Sequence, residues 1–141
     1  MVRIVDGPLG VWSPADPAGP GAALPRGEAG AVLVFEGVAR GREPEGAGTG
    51  GRHREIEALD YQAYQPMAER MVERIARDLV ERHALLAMLV EHSRGRVGVG
   101  ERSFRLVIWS AHRKEGLAAA DEFIDRLKRD VPIWKRPVWR A

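Results

Sequence analysis

Lys128 and Lys135 stand seven residues apart in the run Leu127-Lys128-Arg129-Asp130-Val131-Pro132-Ile133-Trp134-Lys135-Arg136. A lysine beside other cations, or partly removed from water, releases its proton more readily and becomes a nucleophilic amine. Upstream, Ser110-Ala111-His112-Arg113 places an imidazole and a guanidinium where a strand feeds a helix. Helix N-termini carry unpaired N–H groups and a partial positive charge, so anions bind there. These side chains stand at the two ends of one predicted helix. Their chemistry is that of a site that grips an anion and handles an acyl or phosphate group. Arg40, with Arg42, Arg52 and Arg54 beyond it, flanks a glycine-rich loop that can close over a phosphate. Each feature also has a plainer reading: a polar helix junction, a solubilising loop, or a lysine snorkelling over apolar surface.

Several other chemistries find no footing. There is no cysteine, which excludes a disulfide scaffold, thiolate metal sites and a Cys nucleophile. Any sulfur chemistry must take its sulfur from another molecule. His53, His83, His92 and His112 show no metal-ligand spacing, so neither metal nor cofactor is expected. The carboxylates form no evident acid–base pair, and no Ser-His-Asp set can be picked out. The loop from 41 to 53 lacks the Gly-Lys-Ser/Thr of a Walker phosphate loop. The net charge is only +2, yet residues 126–141 hold six basic side chains against one acidic one, Asp130. Such an end suits an anionic ligand or an acidic partner tail. No apolar run approaches the roughly 18 residues of a membrane span, and the N-terminus has no signal-peptide core. A cytoplasmic location is expected.

The elements that must position these residues follow from periodicity. The length of 141 residues suits one domain with a real core. Residues 2–5 read as a strand. Residues 6–27, with prolines at 8, 14, 17, 20 and 25, read as an irregular surface segment. Ala31-Val32-Leu33-Val34-Phe35 reads as a buried strand within 29–38. Residues 41–53 cannot bury a core and are expected to form a mobile loop. A strand is expected over 55–64, and then the clearest helix, 66–83. Its apolar residues fall in adjacent pairs, Met67/Ala68, Met71/Val72, Ile75/Ala76 and Leu79/Val80. Strands over 85–92 and 103–111 follow, joined by a turn-rich link at 94–101. A second helix is expected over 114–130, ended by Pro132. Its face, read as Leu117, Ala120, Ile124, Leu127 and Val131, puts Lys128 roughly 60–70° from the apolar centre. Residues 133–139 read as a short extended tail. The pattern is α+β.

These segments together resemble the large, catalytic subunit of molybdopterin synthase. The most specific parts are Ser110-Ala111-His112-Arg113, Phe123-Ile124-Asp125-Arg126-Leu127-Lys128 and Val131-Pro132-Ile133-Trp134-Lys135. Phe35-Glu36-Gly37-Val38-Ala39-Arg40 is similar to the family's early Phe-x-Gly-x-x-Arg segment. Leu59 to Tyr64, followed by Pro66-Met67-Ala68, is similar to its strand-to-helix entry. The resemblance covers about residues 29–135. It implies an α/β-hammerhead fold with a mixed, largely antiparallel sheet and two main helices. It implies a homodimer at the centre of a heterotetramer, with a small ubiquitin-like sulfur-carrier subunit as partner. That partner's C-terminal Gly-Gly thiocarboxylate delivers sulfur to cyclic pyranopterin monophosphate, giving molybdopterin for molybdenum cofactor biosynthesis. Lys128 and Lys135 become the catalytic residues. Arg40, His112 and Arg113 become substrate-binding residues, with Val38, Ala39 and Arg136 lining the site. The chain departs from the family at Pro137, where relatives usually carry an acidic residue, and in ending at Ala141. A non-catalytic module that binds a ubiquitin-like tail would use the same pocket. A nucleic-acid binder stacking bases on Trp134 and Trp139 is a third reading.

Overall fold

The computed structural model describes residues 1–13, 20–24, 27–46 and 51–141. The order is β1 (Val2–Asp6), a 3-10 turn (Pro20–Ala23), β2 (Ala31–Val38), β3 (Arg42–Pro44), β4 (His53–Ala63), α1 (Met67–Arg82), β5 (Ala87–Gly98), β6 (Arg102–Ser110), α2 (Arg113–Asp130) and β7 (Ile133–Trp139). The fold is α+β, and its strands form one seven-stranded mixed sheet in the order β2-β6-β5-β4-β3. β1 adds to β5 in parallel, and β7 adds to β4 antiparallel. Two helices on a largely antiparallel mixed sheet agree with the expected hammerhead architecture.

Alternation along β6 explains how the sheet is covered on both faces. Phe104, Leu106 and Ile108 point to one side and meet Val72, Ile75 and Leu79 of α1 and Ala119, Ala120 and Phe123 of α2. Val107 and Trp109 point to the other, where Trp12 and Leu24 cover them. Trp12 meets Trp109 edge-on, with ring centroids 6.0 Å apart. The proline-rich segment therefore lends part of itself to a second core. Its residues 14–19 and 25–26 lie outside the described residues. Each large side chain so buried contributes on the order of 1.5–3 kcal/mol.

Three expectations about elements change. The loop from 41 to 53 is in part a hairpin: Arg42, Glu43 and Pro44 pair with Glu55, Arg54 and His53. Residues 47–50 of that stretch lie outside the described residues, and with them the question of its mobility. The link at 94–101 is mostly strand, because β5 runs on to Gly98 and pairs there with Ala58 to Tyr61. The tail at 133–139 is β7, which runs beside β4 from Ala63 back to Ile56.

The face of α2 also differs. Leu117 is 54% exposed, while Gly116, Ala119, Ala120, Phe123 and Leu127 are buried. Small residues let the helix sit close on the sheet. A Cβ on Gly116 would stand only 2.9 Å from Ser110 Oγ. Centring the stripe on these residues puts Lys128 roughly 125° from the apolar centre. It is accordingly exposed, further from the core than the sequence pattern implied.

Candidate active site

Val131 and Pro132 bring the two lysines together. Val131 is buried and extended, and its N–H donates to Leu127 O at 3.2 Å, closing α2. Tyr64 N–H then donates to Pro132 O at 3.1 Å and seats the start of β7 against the end of β4. The chain reverses within a few residues. Lys128 at the end of α2 and Lys135 on β7 both face one cleft of about 500 Å³. That is within the usual range for a ligand site.

The walls of this cleft are apolar and its floor is polar. Phe35, Val38, Phe104, Ile124, Leu127 and Ile133 line it with the lysines, as do Tyr61, His92 and Ser103. The Tyr61 hydroxyl donates to Ser103 Oγ at 3.0 Å. The His92 ring stands edge-on to Tyr61 at 5.2 Å, and its Nδ1 pairs with Ser93 O at 2.8 Å. Burial pushes the His92 imidazole below its usual range, partly offset by that hydrogen bond. This floor was missed in the sequence. Tyr61 and Ser103 sit on different strands, and only the sheet register joins them.

Val38 lines the cleft because the register slips between Gly37 and Val38. Ala39 does not line it. Ala39 is buried with Ile56, Leu59 and Val97, and its backbone is held by Glu101 O and Gly100 N–H. Arg40 emerges beyond it into a neighbouring, wider cleft of about 860 Å³, with Arg42, His53, Glu55 and Arg140. Arg42 and Arg140 both pair with Glu55 there, at 3.7 and 3.4 Å. Glu43 pairs with one lining residue of each cleft. Its Oε2 is 2.8 Å from Lys135 Nζ, and its Oε1 is 3.5 Å from Arg40 Nη2. Glu43 was also missed, since it sits among glycine and proline in a stretch that reads as loop.

Arg136 follows Lys135 on β7 and so faces the opposite side, beside Asp60. His112 and Arg113 do not reach the lysines within one chain. Both are exposed at the other end of α2, on the order of 22–24 Å from Lys128 along the helix. The His112 N–H donates to Glu115 Oε1 at 2.7 Å, capping the helix. Trp139 is partly buried. It packs against the cluster of Ile56, Leu59 and Val97, with the Arg54 guanidinium 5.4 Å from its ring centroid.

The arrangement can hold an extended anionic tail against two amines, with cationic groups nearby. Residues 13–130 match the model of the family described as MoaE protein. The chain is 38% identical over 112 residues to the molybdopterin synthase catalytic subunit of Nostoc sp., a match covering 79% of this chain and 63% of that relative. The structure of molybdopterin synthase from Staphylococcus aureus superimposes with a TM-score of 0.75 at 27% identity, covering 98% of this chain and 90% of that one. A Helicobacter pylori chain, solved in a protein–protein complex of subunits 1 and 2 of molybdopterin-converting factor, shares the fold. Its TM-score is 0.67 at 21% identity, over 99% of this chain and 90% of that one. The chain belongs to the MoaE protein family, the family of the molybdopterin synthase catalytic subunits.

Proposed function

We propose that the chain is a sulfurtransferase, the catalytic subunit of a molybdopterin synthase. It takes sulfur from the thiocarboxylated C-terminal Gly-Gly of a small ubiquitin-like partner. It places that sulfur on cyclic pyranopterin monophosphate to form molybdopterin. The observation that carries this reading is the cleft shared by Lys128 and Lys135, in a chain of this family that has no cysteine of its own. The sulfur must then arrive on the partner.

The roles follow from chemistry. Lys128 and Lys135 are the catalytic residues, and their amines act on the thioacyl group or on the charge that develops as it reacts. Val38 contacts substrate at the cleft wall, and Arg40 offers its guanidinium to phosphate from the adjoining cleft. Ala39 supports the site through its fixed backbone, and Arg136 contributes charge from the far side of β7. His112 and Arg113 serve a substrate only if a second copy of the chain brings them to this cleft. A homodimer is therefore part of the reading. β2 supports it as an edge strand with Val32, Val34, Phe35 and Val38 exposed, a surface that another chain would cover. Two such chains with two partner subunits make a heterotetramer.

Among the described residues no helix is long and apolar enough to cross a membrane. The reaction belongs to the cytoplasm. The test is molybdopterin formation from cyclic pyranopterin monophosphate and a thiocarboxylated partner. Turnover supports the enzyme. Tight partner binding without turnover supports a binding module instead.

A further inference from the structure

The carboxylate paired with Lys135 has no part in the roles above. Glu43 stands at the centre of β3, and its side chain is only 8% exposed. A carboxylate withdrawn from water needs charged or hydrogen-bonding partners. Here each oxygen takes one cation, Lys135 at 2.8 Å and Arg40 at 3.5 Å. The two cations come from separate stretches of chain, β7 and the segment after β2. Both are far more exposed than Glu43, at 47% for Lys135 and 75% for Arg40. Long flexible side chains at such exposure have no fixed position of their own. β3 and β7 are both hydrogen-bonded to β4, so one strand sets the distance between carboxylate and amine. Lys128 differs: among the described residues it makes no hydrogen bond or ion pair.

We propose that Glu43 is a positioning residue that holds Lys135 and Arg40 in place around the cleft for sulfur transfer. This rests on the function proposed above. Two cations on one carboxylate leave the trio with a net positive charge, so it still attracts an anionic substrate. Glu43 touches no reacting atom. It acts through Lys135, whose amine it restrains, and it couples the two clefts through Arg40.

The sequence holds only three lysines, Lys114, Lys128 and Lys135, which makes a direct readout possible. The full-length protein is treated with a limiting amount of an amine-acylating reagent, and each lysine's modification is measured by mass spectrometry. Glu43→Gln should raise modification of Lys135 several-fold relative to Lys128 in the same sample. Glu43→Asp, which keeps the charge, should fall between Gln and wild type, and it carries the test if the Gln variant melts early. In the molybdopterin assay, Glu43→Gln should lower kcat about tenfold. In a Lys135→Ala background it should lower kcat no further. An unchanged Lys135-to-Lys128 ratio overturns the proposal, and so does a fall in kcat that multiplies with that of Lys135→Ala. A wild-type protein inert in the assay overturns the function reading, while the labelling still decides whether Glu43 restrains Lys135.

Discussion

Tyr61 and Lys135 are register partners across β4 and β7, and both side chains line the same cleft. Partners in an antiparallel pair share a face, so the strand that carries the amine is aligned by the strand that carries the polar floor. Tyr61 in turn reaches Ser103 on β6 and the ring of His92 on β5. Lys135 is thus placed by pairing across the sheet, while Lys128 is placed by the end of a helix.

His92 makes the floor sensitive to acid. Burial disfavours the charged ring and holds its imidazole below the ordinary histidine value of 6.5. A lowered folded pKa means that the unfolded chain binds the proton more readily. Stability is then complete above pH 6.5 and is lost as the pH falls toward the depressed value. Urea midpoints of the wild type should drop between pH 7.5 and pH 5.5, and His92→Gln should flatten that slope. Equal slopes in the two proteins would remove His92 as the cause. At lower pH a second loss should follow. Asp78 is held below its usual range chiefly by a hydrogen bond from Arg126, and Glu122 chiefly by one from His83. Both contributions are present above the unfolded carboxylate range and vanish as these groups take up protons.

Ala84 carries a left-handed backbone, φ 49°, just after the end of α1. For a residue with a Cβ this costs roughly 1–2 kcal/mol, and glycine avoids it at some loss of chain entropy. Ala84→Gly should stabilise the protein by about 0.5–1 kcal/mol, a rise in Tm of about 2–4 °C. Scanning calorimetry measures this, and a lowered Tm would refute it.

Arg40→Ala and Arg113→Ala should each weaken substrate binding about tenfold to a hundredfold, the loss of one charge-assisted phosphate contact of roughly 1.5–3 kcal/mol. Their melting temperatures should stay close to that of the wild type, as both side chains are exposed. The distance between Arg113 and Lys128 adds a sharper test of the dimer. Assayed at substrate well below the wild-type KM, where each variant alone is nearly silent, Arg113→Ala and Lys128→Ala proteins unfolded and refolded together in equal amounts should recover about a quarter of the wild-type rate, one intact site in half of the dimers. No recovery would place Arg113 outside the neighbouring chain's cleft.

Much of this was legible in the residues, and what was not has physical reasons. The paired apolar residues of α1 gave its position closely, since that stripe is almost purely an intrahelical pattern. The alternation of β6 was equally plain. β7 was read as a tail because Lys135, Arg136 and Pro137 interrupt any apolar alternation; it is a strand because β4 offers it a partner. β3 was hidden for the same reason, and Glu43 with it. The face of α2 was drawn through Leu117, whereas close packing selected Gly116, Ala119 and Ala120, and Leu117 stayed in solvent. Both lysines stand out in the sequence, and the structure brings them to one cleft. His112 and Arg113 stand at the other end of α2, and the 18 residues of that helix keep them far from Lys128 within one chain.

Lys128 is where the account is most exposed to test. Among the described residues its amine has no hydrogen-bond or ion-pair partner, it sits outside the core, and it lines the cleft. The direct measurement is molybdopterin formation by purified Lys128→Ala with the thiocarboxylated partner and cyclic pyranopterin monophosphate, with thermal melting alongside. Turnover should fall by at least about a hundredfold while the melting temperature stays within a few degrees of wild type. Lys128→Arg should restore little, since a guanidinium stays protonated and differs in shape. A folded Lys128→Ala protein with near-normal turnover would contradict the mechanism.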